Sequence, residues 1–186
     1  MKQTAQEREQ EQNWIERTNA ENQLAEILDT NKTAAAFGLA LTREQAALIV
    51  AARKNALRQE RRVEFGASVT KALILTFCSS PYIGQDNFAD MVIRLQEIFY
   101  EFKGEMLDQL TDDELLNFMR EQFDGICAGD PDYLEDTVLA GFAQAVRGGY
   151  DGYKAADGRG EYSRFDDVKR WDPALYQEVL RNLTWE

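Results

Sequence analysis

The sequence predicts an all-α protein: a single-domain orthogonal or antiparallel bundle of about six to seven helices with terminal extensions. Three observations predict this fold class. Apolar residues recur at intervals of three and four along most of the chain, helix-start signals precede several of these segments, and no pair of segments has the alternating pattern of strands. The 186 residues are 44% hydrophobic, which is enough for one sizeable core. We expect a polar N-terminal arm or helix over 1–19, a helical core over 20–147, and a Gly/Tyr-rich segment with a short C-terminal helix over 148–186.

The first predicted helix docks through a stripe of apolar residues that ends before Asp29. This stripe consists of Trp14, Ile15, Leu24, Ile27 and Leu28. Residues 1–12 are rich in Gln and Glu, and they are either the frayed end of this helix or a disordered arm. Residues 33–41 are short, apolar and interrupted by Gly38, which favours a packed connector.

Thr42 and Gln45 have the spacing of a capping box and predict a helix from 43 to about 62. One side of this helix is apolar, and it carries Ala46, Ile49, Val50 and Leu57. The basic residues fall at spacings that gather them on another face, forming a basic stripe of Arg53, Lys54, Arg58, Arg61 and Arg62.

Two further helices are predicted between Ser68 and Met106. The segment from Ser68 to Ser79 is apolar nearly all round, as a central buried helix would be, and Pro81 ends it. Asp86 or Asn87 then caps a helix with the strongest periodicity in the chain. Its apolar positions are Phe88, Met91, Val92, Leu95, Ile98, Phe99, Phe102 and Met106.

The second half begins with another capping box, formed by Thr111 and Glu114. The inner face of the helix that follows is predicted from Leu115, Leu116, Met119, Phe123 and Ile126. Asp130 as the cap and Pro131 as the first residue start the next helix, whose core positions are Leu134, Val138, Phe142 and Val146. A last short helix is expected from about Pro173 to Leu183.

The composition excludes several classes of function. The chain has no histidine, so the commonest neutral-pH general base and the commonest nitrogen ligand for metals are both missing. Its net charge of −12 opposes general attraction to nucleic acid or anionic lipid, and we expect neither as a partner. A polar start, the lack of a membrane-length apolar segment and two widely spaced cysteines predict a cytoplasmic protein in a reducing compartment.

One short motif suggests an enzyme or a small-molecule pocket. Ser68 and Lys71 match S-x-x-K, in which a lysine one turn along a helix activates a serine, and Tyr82 would join them in the pocket. The companion motifs K-T-G and S-D-N are missing, however. The favoured interpretation is that Ser68 caps a helix and that Lys71 snorkels or pairs with an acid.

Two other motifs lack their necessary context. Tyr150 and Lys154 have the spacing that some reductases use, but no dinucleotide-binding glycine motif accompanies them. When residues 151–161 are aligned as a calcium loop, two ligand positions fall on Tyr153 and Ala155. We therefore predict no metal site, no cofactor and no catalytic residue.

The basic stripe supports a third hypothesis, the binding of phosphate or nucleic acid, because clustered guanidinium groups suit such ligands. The chain is acidic and no aromatic residues are interleaved with the stripe, so we favour pairing with acidic side chains. The proposed acidic partners, in the same chain or in another subunit, are Asp112, Asp113, Glu114 and Glu121.

Four segments carry a resemblance to a known family: Arg62-Val-Glu-Phe-Gly66, Ser80-Pro-Tyr-Ile83 before Gln85, Phe99-Tyr-Glu-Phe-Lys103 and Asp112-Asp-Glu-Leu-Leu116. Between Arg62 and about Gly129, the chain resembles a family of uncharacterised bacterial proteins that carries only a domain-of-unknown-function designation. The resemblance implies no activity and no functional residues.

The leading hypothesis is therefore a non-enzymatic helical protein that acts through protein–protein contacts, with a homodimer as the simplest assembly. Aromatic side chains are enriched at such interfaces. Those outside the predicted core are Trp14, Tyr150, Tyr153, Trp171 and Trp185.

Overall fold

A computed structural model describes residues 5–150, and this part of the chain contains helices and no β-strand. The all-α prediction is confirmed. The helices are α1 (Ala5–Asp29), α2 (Asn31–Ala34), α3 (Arg43–Gln59), α4 (Ser68–Phe77), α5 (Phe88–Glu105), α6 (Asp112–Asp124), α7 (Pro131–Tyr133) and α8 (Ala140–Arg147). A 3-10 turn over Ala35–Phe37 follows α2, and a π-helical segment over Leu134–Leu139 joins α7 to α8.

The chain divides into two compact units, Met1–Glu97 and Ile98–Glu186, and the boundary falls within α5. The division into an arm, a core over 20–147 and a C-terminal segment stays a prediction. The expected last helix lies outside the described residues, as do three of the five aromatic residues predicted outside the core, Tyr153, Trp171 and Trp185.

In the first unit, α1 packs against α3 and α4 through its C-terminal half. Leu24 and Ile27 are buried, whereas Trp14 is 67% exposed and Ile15 is also exposed. The predicted docking stripe is therefore wrong for its first two residues. Trp14 is exposed, as expected of an aromatic residue outside the core.

The capping box at Thr42 is confirmed, because the Thr42 hydroxyl accepts from the Gln45 amide and the Gln45 side chain accepts from the Thr42 amide. The helix ends at Gln59, not near 62 as predicted. Arg61 adopts a left-handed conformation with φ of 53°, and the Arg62 amide donates to the Leu57 carbonyl at 2.8 Å. The left-handed residue and this hydrogen bond are characteristic of a Schellman motif, which ends the helix.

Two carboxamide side chains hold the connection between α2 and α3. Asn31 donates to the Leu41 carbonyl at 2.9 Å and accepts from the Leu41 amide at 2.8 Å. Gln85 forms the same pair of hydrogen bonds with Ala40, at 2.8 and 2.7 Å. The backbone groups of two successive residues are thus satisfied without a strand partner.

The buried helix predicted between Ser68 and Ser79 is confirmed as α4, which buries Val69, Leu73, Ile74 and Phe77. Two fully buried polar side chains also lie in this unit. The Thr70 hydroxyl donates to Gln96 Oε1 at 2.5 Å, and Gln96 Nε2 donates to the Ile49 carbonyl at 3.3 Å. These two bonds link α3, α4 and α5.

At the start of α5, Asn87 is one of the two caps that the sequence offers. The Asn87 carbonyl accepts the first hydrogen bond of the helix, from the Met91 amide, so Asn87 occupies the cap position. Its side chain binds the preceding loop, because Oδ1 accepts from the Gly84 amide and Nδ2 donates to the Tyr82 carbonyl.

In the second unit, the helix starts at Thr111 and Asp130 are confirmed. The predicted core positions at 134, 138, 142 and 146 are all buried. Lys103 is also buried, and its ammonium group donates to the Leu110 carbonyl and pairs with Asp112 at 2.8 Å. Ile126 was predicted to face the core, but it is 46% exposed. The physical reason is that α6 ends at Asp124, so the helical spacing no longer applies two residues later.

Candidate functional site

The connection between α3 and α4 displays the two most exposed large apolar side chains among residues 5–150. Val63 is 85% exposed and Phe65 is 91% exposed. Both lie in the five-residue segment 62–66, which we call the 62–66 loop. Leaving a Phe and a Val in water forgoes roughly 1.5–3 kcal/mol of burial for each side chain, so their display requires an explanation.

Glu64 points inward between these two residues and anchors the loop to α3. Its Oε2 lies 3.0 Å from Arg53 Nη2, and Arg53 is only 3% exposed. Arg53 Nη1 also lies 3.5 Å from Gln23 Oε1 of α1, while Nε is buried without a hydrogen-bond partner among the described residues. A buried guanidinium requires a carboxylate, so this ion pair holds the middle of the loop against the unit.

A second anchor holds the end of the loop. Glu26 Oε2 of α1 accepts a hydrogen bond of 2.9 Å from the Ala67 amide, at the start of α4. Gly66 has a φ of 73°, and a β-carbon there would lie 3.4 Å from Glu26 Oε1. Glycine suits this position because other residues rarely adopt a positive φ.

The predicted cap of α4 is wrong. Ser68 is the first residue of α4 and makes no capping hydrogen bond, and Ala67 is at the cap position. The carboxylate of Glu26 accepts from the Ala67 amide, so a distant residue places a negative charge at the start of α4, where the helix dipole favours it.

The structure separates the residues of the predicted basic stripe. Arg53 is buried, Lys54 lies 3.8 Å from Glu16 of α1, and Arg61 and Arg62 lie beyond the end of α3. Arg53 and Lys54 are thus paired with Glu64 and Glu16. Pairing of the stripe with the acids from Asp112 to Glu121, in the same chain or in another subunit, stays a prediction. Arg58 and Arg61 are exposed and lie next to the 62–66 loop in sequence.

Two residues of the predicted pocket, Ser68 and Lys71, lie on α4, and the third, Tyr82, lies in the turn before α5. Lys71 Nζ on α4 lies 3.5 Å from Asp29 Oδ2, so the expectation that Lys71 pairs with an acid is confirmed. Asp29 also lies 2.5 Å from Lys32, and hydrogen bonding and charge from Lys32 and then Lys71 lower the pKa of Asp29. Ser68 is exposed and Tyr82 is 41% exposed in the turn before α5. A small-molecule pocket or an enzyme site that uses these residues stays the alternative hypothesis.

The two cysteines are both buried and both are free thiols. Burial, with a smaller contribution from the charge of Asp130, raises the pKa of Cys127 to about 12.

Because the thiolate is the reactive form, we expect native Cys127 to react with iodoacetamide at pH 8 about 1,000-fold more slowly than an ordinary cysteine. Mass spectrometry of the alkylated Cys127 peptide measures this rate. The same peptide should react at the ordinary rate in urea, and fast alkylation of the native protein would contradict the buried thiol.

Val63 and Phe65, the candidate contact residues, were not predicted from the sequence. A signal was present: two apolar residues flank a charged one in a connection too short for a helix. Such alternation predicts two side chains on one side and one on the other.

Within residues 5–150, no three Cys, Asp or Glu side chains cluster as metal ligands would. None of the described helices combines the length and hydrophobicity needed to cross a membrane.

Comparison with known proteins adds a family but no activity. No curated protein and no solved structure matches this chain. A family model described as "Family of unknown function (DUF6323)" matches residues 26–152. This match covers more than half of the chain and includes the 62–66 loop, both of its anchors and the segments that carry the resemblance. The chain therefore belongs to the DUF6323 family, a family of unknown function.

Proposed function

We propose that this protein acts through protein–protein contacts and that the 62–66 loop is its contact surface, with a second copy of the chain as the partner. The single observation that carries the proposal is the 91% exposure of Phe65 on a loop whose neighbouring residue, Glu64, is fixed to a buried arginine. Aromatic side chains at the centre of a contact are typical hot spots of binding.

The anchors of the loop favour binding because they reduce the entropy lost on association. A mobile loop must be ordered when it binds, and each immobilised side chain costs about 0.5–1.5 kcal/mol. Here the ion pair at Glu64 and the hydrogen bond at Ala67 already fix both ends of the Glu64–Ala67 stretch. Burial of Phe65, which lies within this stretch, therefore contributes to affinity with little further ordering.

Charge favours a second copy as the partner. Arg58 and Arg61 are exposed next to the loop, so a partner with carboxylates suits it. The chain has 33 Asp and Glu residues, so another copy offers many carboxylates. Association of copies is also the commonest way in which soluble proteins form assemblies.

Sedimentation velocity across a concentration series tests the proposal. We expect the wild-type chain to self-associate and the Val63→Ser/Phe65→Ser variant to associate at least 10-fold more weakly, since it loses the buried apolar contact. The matched control is Phe37→Ser/Leu48→Ser, which removes two other exposed apolar side chains of the same unit. This control should behave as wild type. A wild-type chain that stays monomeric at every concentration, or a loop variant that associates normally, would refute the proposal.

A further inference from the structure

We infer that the 62–66 loop of one copy docks onto residues 125–136 of a second copy, the receiving segment, which comprises the α6–α7 connection, α7 and the start of the π-helical segment and carries exposed apolar and exposed acidic side chains. The inference rests on the proposed function, because it names the surface that receives the loop.

The receiving segment has the complementary chemistry of the loop. Ile126 is 46% exposed and Tyr133 is 40% exposed, and they flank one tight turn. Asp132 and Asp136 are also exposed and are four residues apart. Two exposed apolar residues accompanied by carboxylates therefore match Val63 and Phe65, which are accompanied by the guanidinium groups of Arg58 and Arg61 next to the loop.

The receiving segment is fixed by its own hydrogen bonds, as the loop is. The Cys127 amide donates to the Gln122 carbonyl at 3.0 Å, and the Gly129 amide donates to the Phe123 carbonyl at 2.8 Å. Asp130 Oδ1 accepts from the amides of Asp132 and Tyr133, at 2.9 and 3.2 Å. Both surfaces are thus preorganised, which lowers the cost of their association.

Charge disfavours the alternative in which two loops meet across a two-fold axis. In that arrangement Arg58 and Arg61 of each copy would approach the same arginines of the other copy. Like charges placed opposite each other across an interface cost several kcal/mol. A contact between loop and turn is instead heterologous, so that copies join head to tail and form either a closed ring or an open chain.

A charge-swap experiment tests this contact by sedimentation velocity. Arg58→Glu/Arg61→Glu makes the surface next to the loop acidic, and Asp132→Lys/Asp136→Lys makes the receiving segment basic. In each variant alone, loop and turn then carry the same sign, and we expect self-association at least 10-fold weaker than in wild type. An equimolar mixture restores opposite charges in both contacts, so the mixture should associate as strongly as wild type. Circular dichroism of each variant verifies that its helices are retained.

The outcomes separate this inference from the proposed function. If Asp132→Lys/Asp136→Lys alone associates as wild type while Val63→Ser/Phe65→Ser does not, the loop binds elsewhere and the inference is overturned, but the proposed function stands. A monomeric wild-type chain overturns both. If the lysine variant loses helicity, Ile126→Ser/Tyr133→Ser decides in its place. That variant should weaken association at least 10-fold, and unchanged association would refute the docking surface.

Discussion

Replacement of Gln96 by alanine is expected to lower the free energy of unfolding by about 3–4 kcal/mol. Gln96 is fully buried, and its carboxamide joins the Thr70 hydroxyl to the Ile49 carbonyl. The substitution leaves a cavity, which costs about 2–5 kcal/mol for a side chain of this size in a core. It also leaves the Thr70 hydroxyl without its acceptor, and an unsatisfied buried polar group costs about 1–3 kcal/mol. These contributions overlap, since a cavity allows the hydroxyl to reorient.

Urea unfolding followed by circular dichroism measures this effect, and a double-mutant cycle separates its two causes. Gln96→Leu conserves most of the volume and therefore isolates the loss of the hydrogen bonds. Thr70→Val removes the other partner. We expect the double variant Thr70→Val/Gln96→Leu to be more stable than the sum of the single variants predicts, by about 1–2 kcal/mol, because no buried polar side chain then lacks a partner. Strict additivity would show that the two side chains do not interact.

Much of the fold follows from local signals that the sequence displays directly. Three predicted helix starts are confirmed: the capping boxes at Thr42 and Thr111 and the Asp130-Pro131 start. Each of these signals involves only residues that lie within three positions of one another in the sequence. The predicted core positions at 134, 138, 142 and 146 are confirmed. One face of this helical segment stays buried along its length, even through its π-helical part.

The errors arise where a distant residue determines the local structure. Ser68 fits the pattern of a helix cap, but Ala67 occupies the cap position, and its amide donates to Glu26 of α1, 41 residues away. The basic stripe was predicted from helical spacing, yet a carboxylate outside α3, at Glu64, allows Arg53 to be buried. Helical periodicity cannot reveal such partners, because it describes one element at a time. The candidate site was missed for the same reason, since its anchors come from three segments of the chain.

Arg53 connects the stability of the first unit to the proposed contact, and Arg53→Met is expected to weaken both. Methionine keeps much of the volume of arginine but removes the guanidinium, so Glu64 loses its ion pair and draws the loop toward water. Breaking a fully buried ion pair costs about 3–5 kcal/mol. Glu64 is a quarter exposed, with a relative exposure of 25%, and water therefore compensates part of this loss. We expect the free energy of unfolding to fall by about 2 kcal/mol.

The same substitution should weaken self-association at least 5-fold at temperatures where the variant is fully folded, because Phe65 then occupies many positions and must be ordered on binding. Urea unfolding gives the first effect and sedimentation velocity gives the second. Arg58→Met is the control for stability, since Arg58 is exposed on the same helix and its replacement should change the free energy of unfolding by less than about 0.5 kcal/mol. Glu64→Gln provides the independent comparison. It keeps the shape of the anchor and one hydrogen-bond acceptor for Arg53, so it should loosen the loop less than Arg53→Met does. If Arg53→Met lowers stability but leaves association unchanged, the anchor does not position Phe65 for binding.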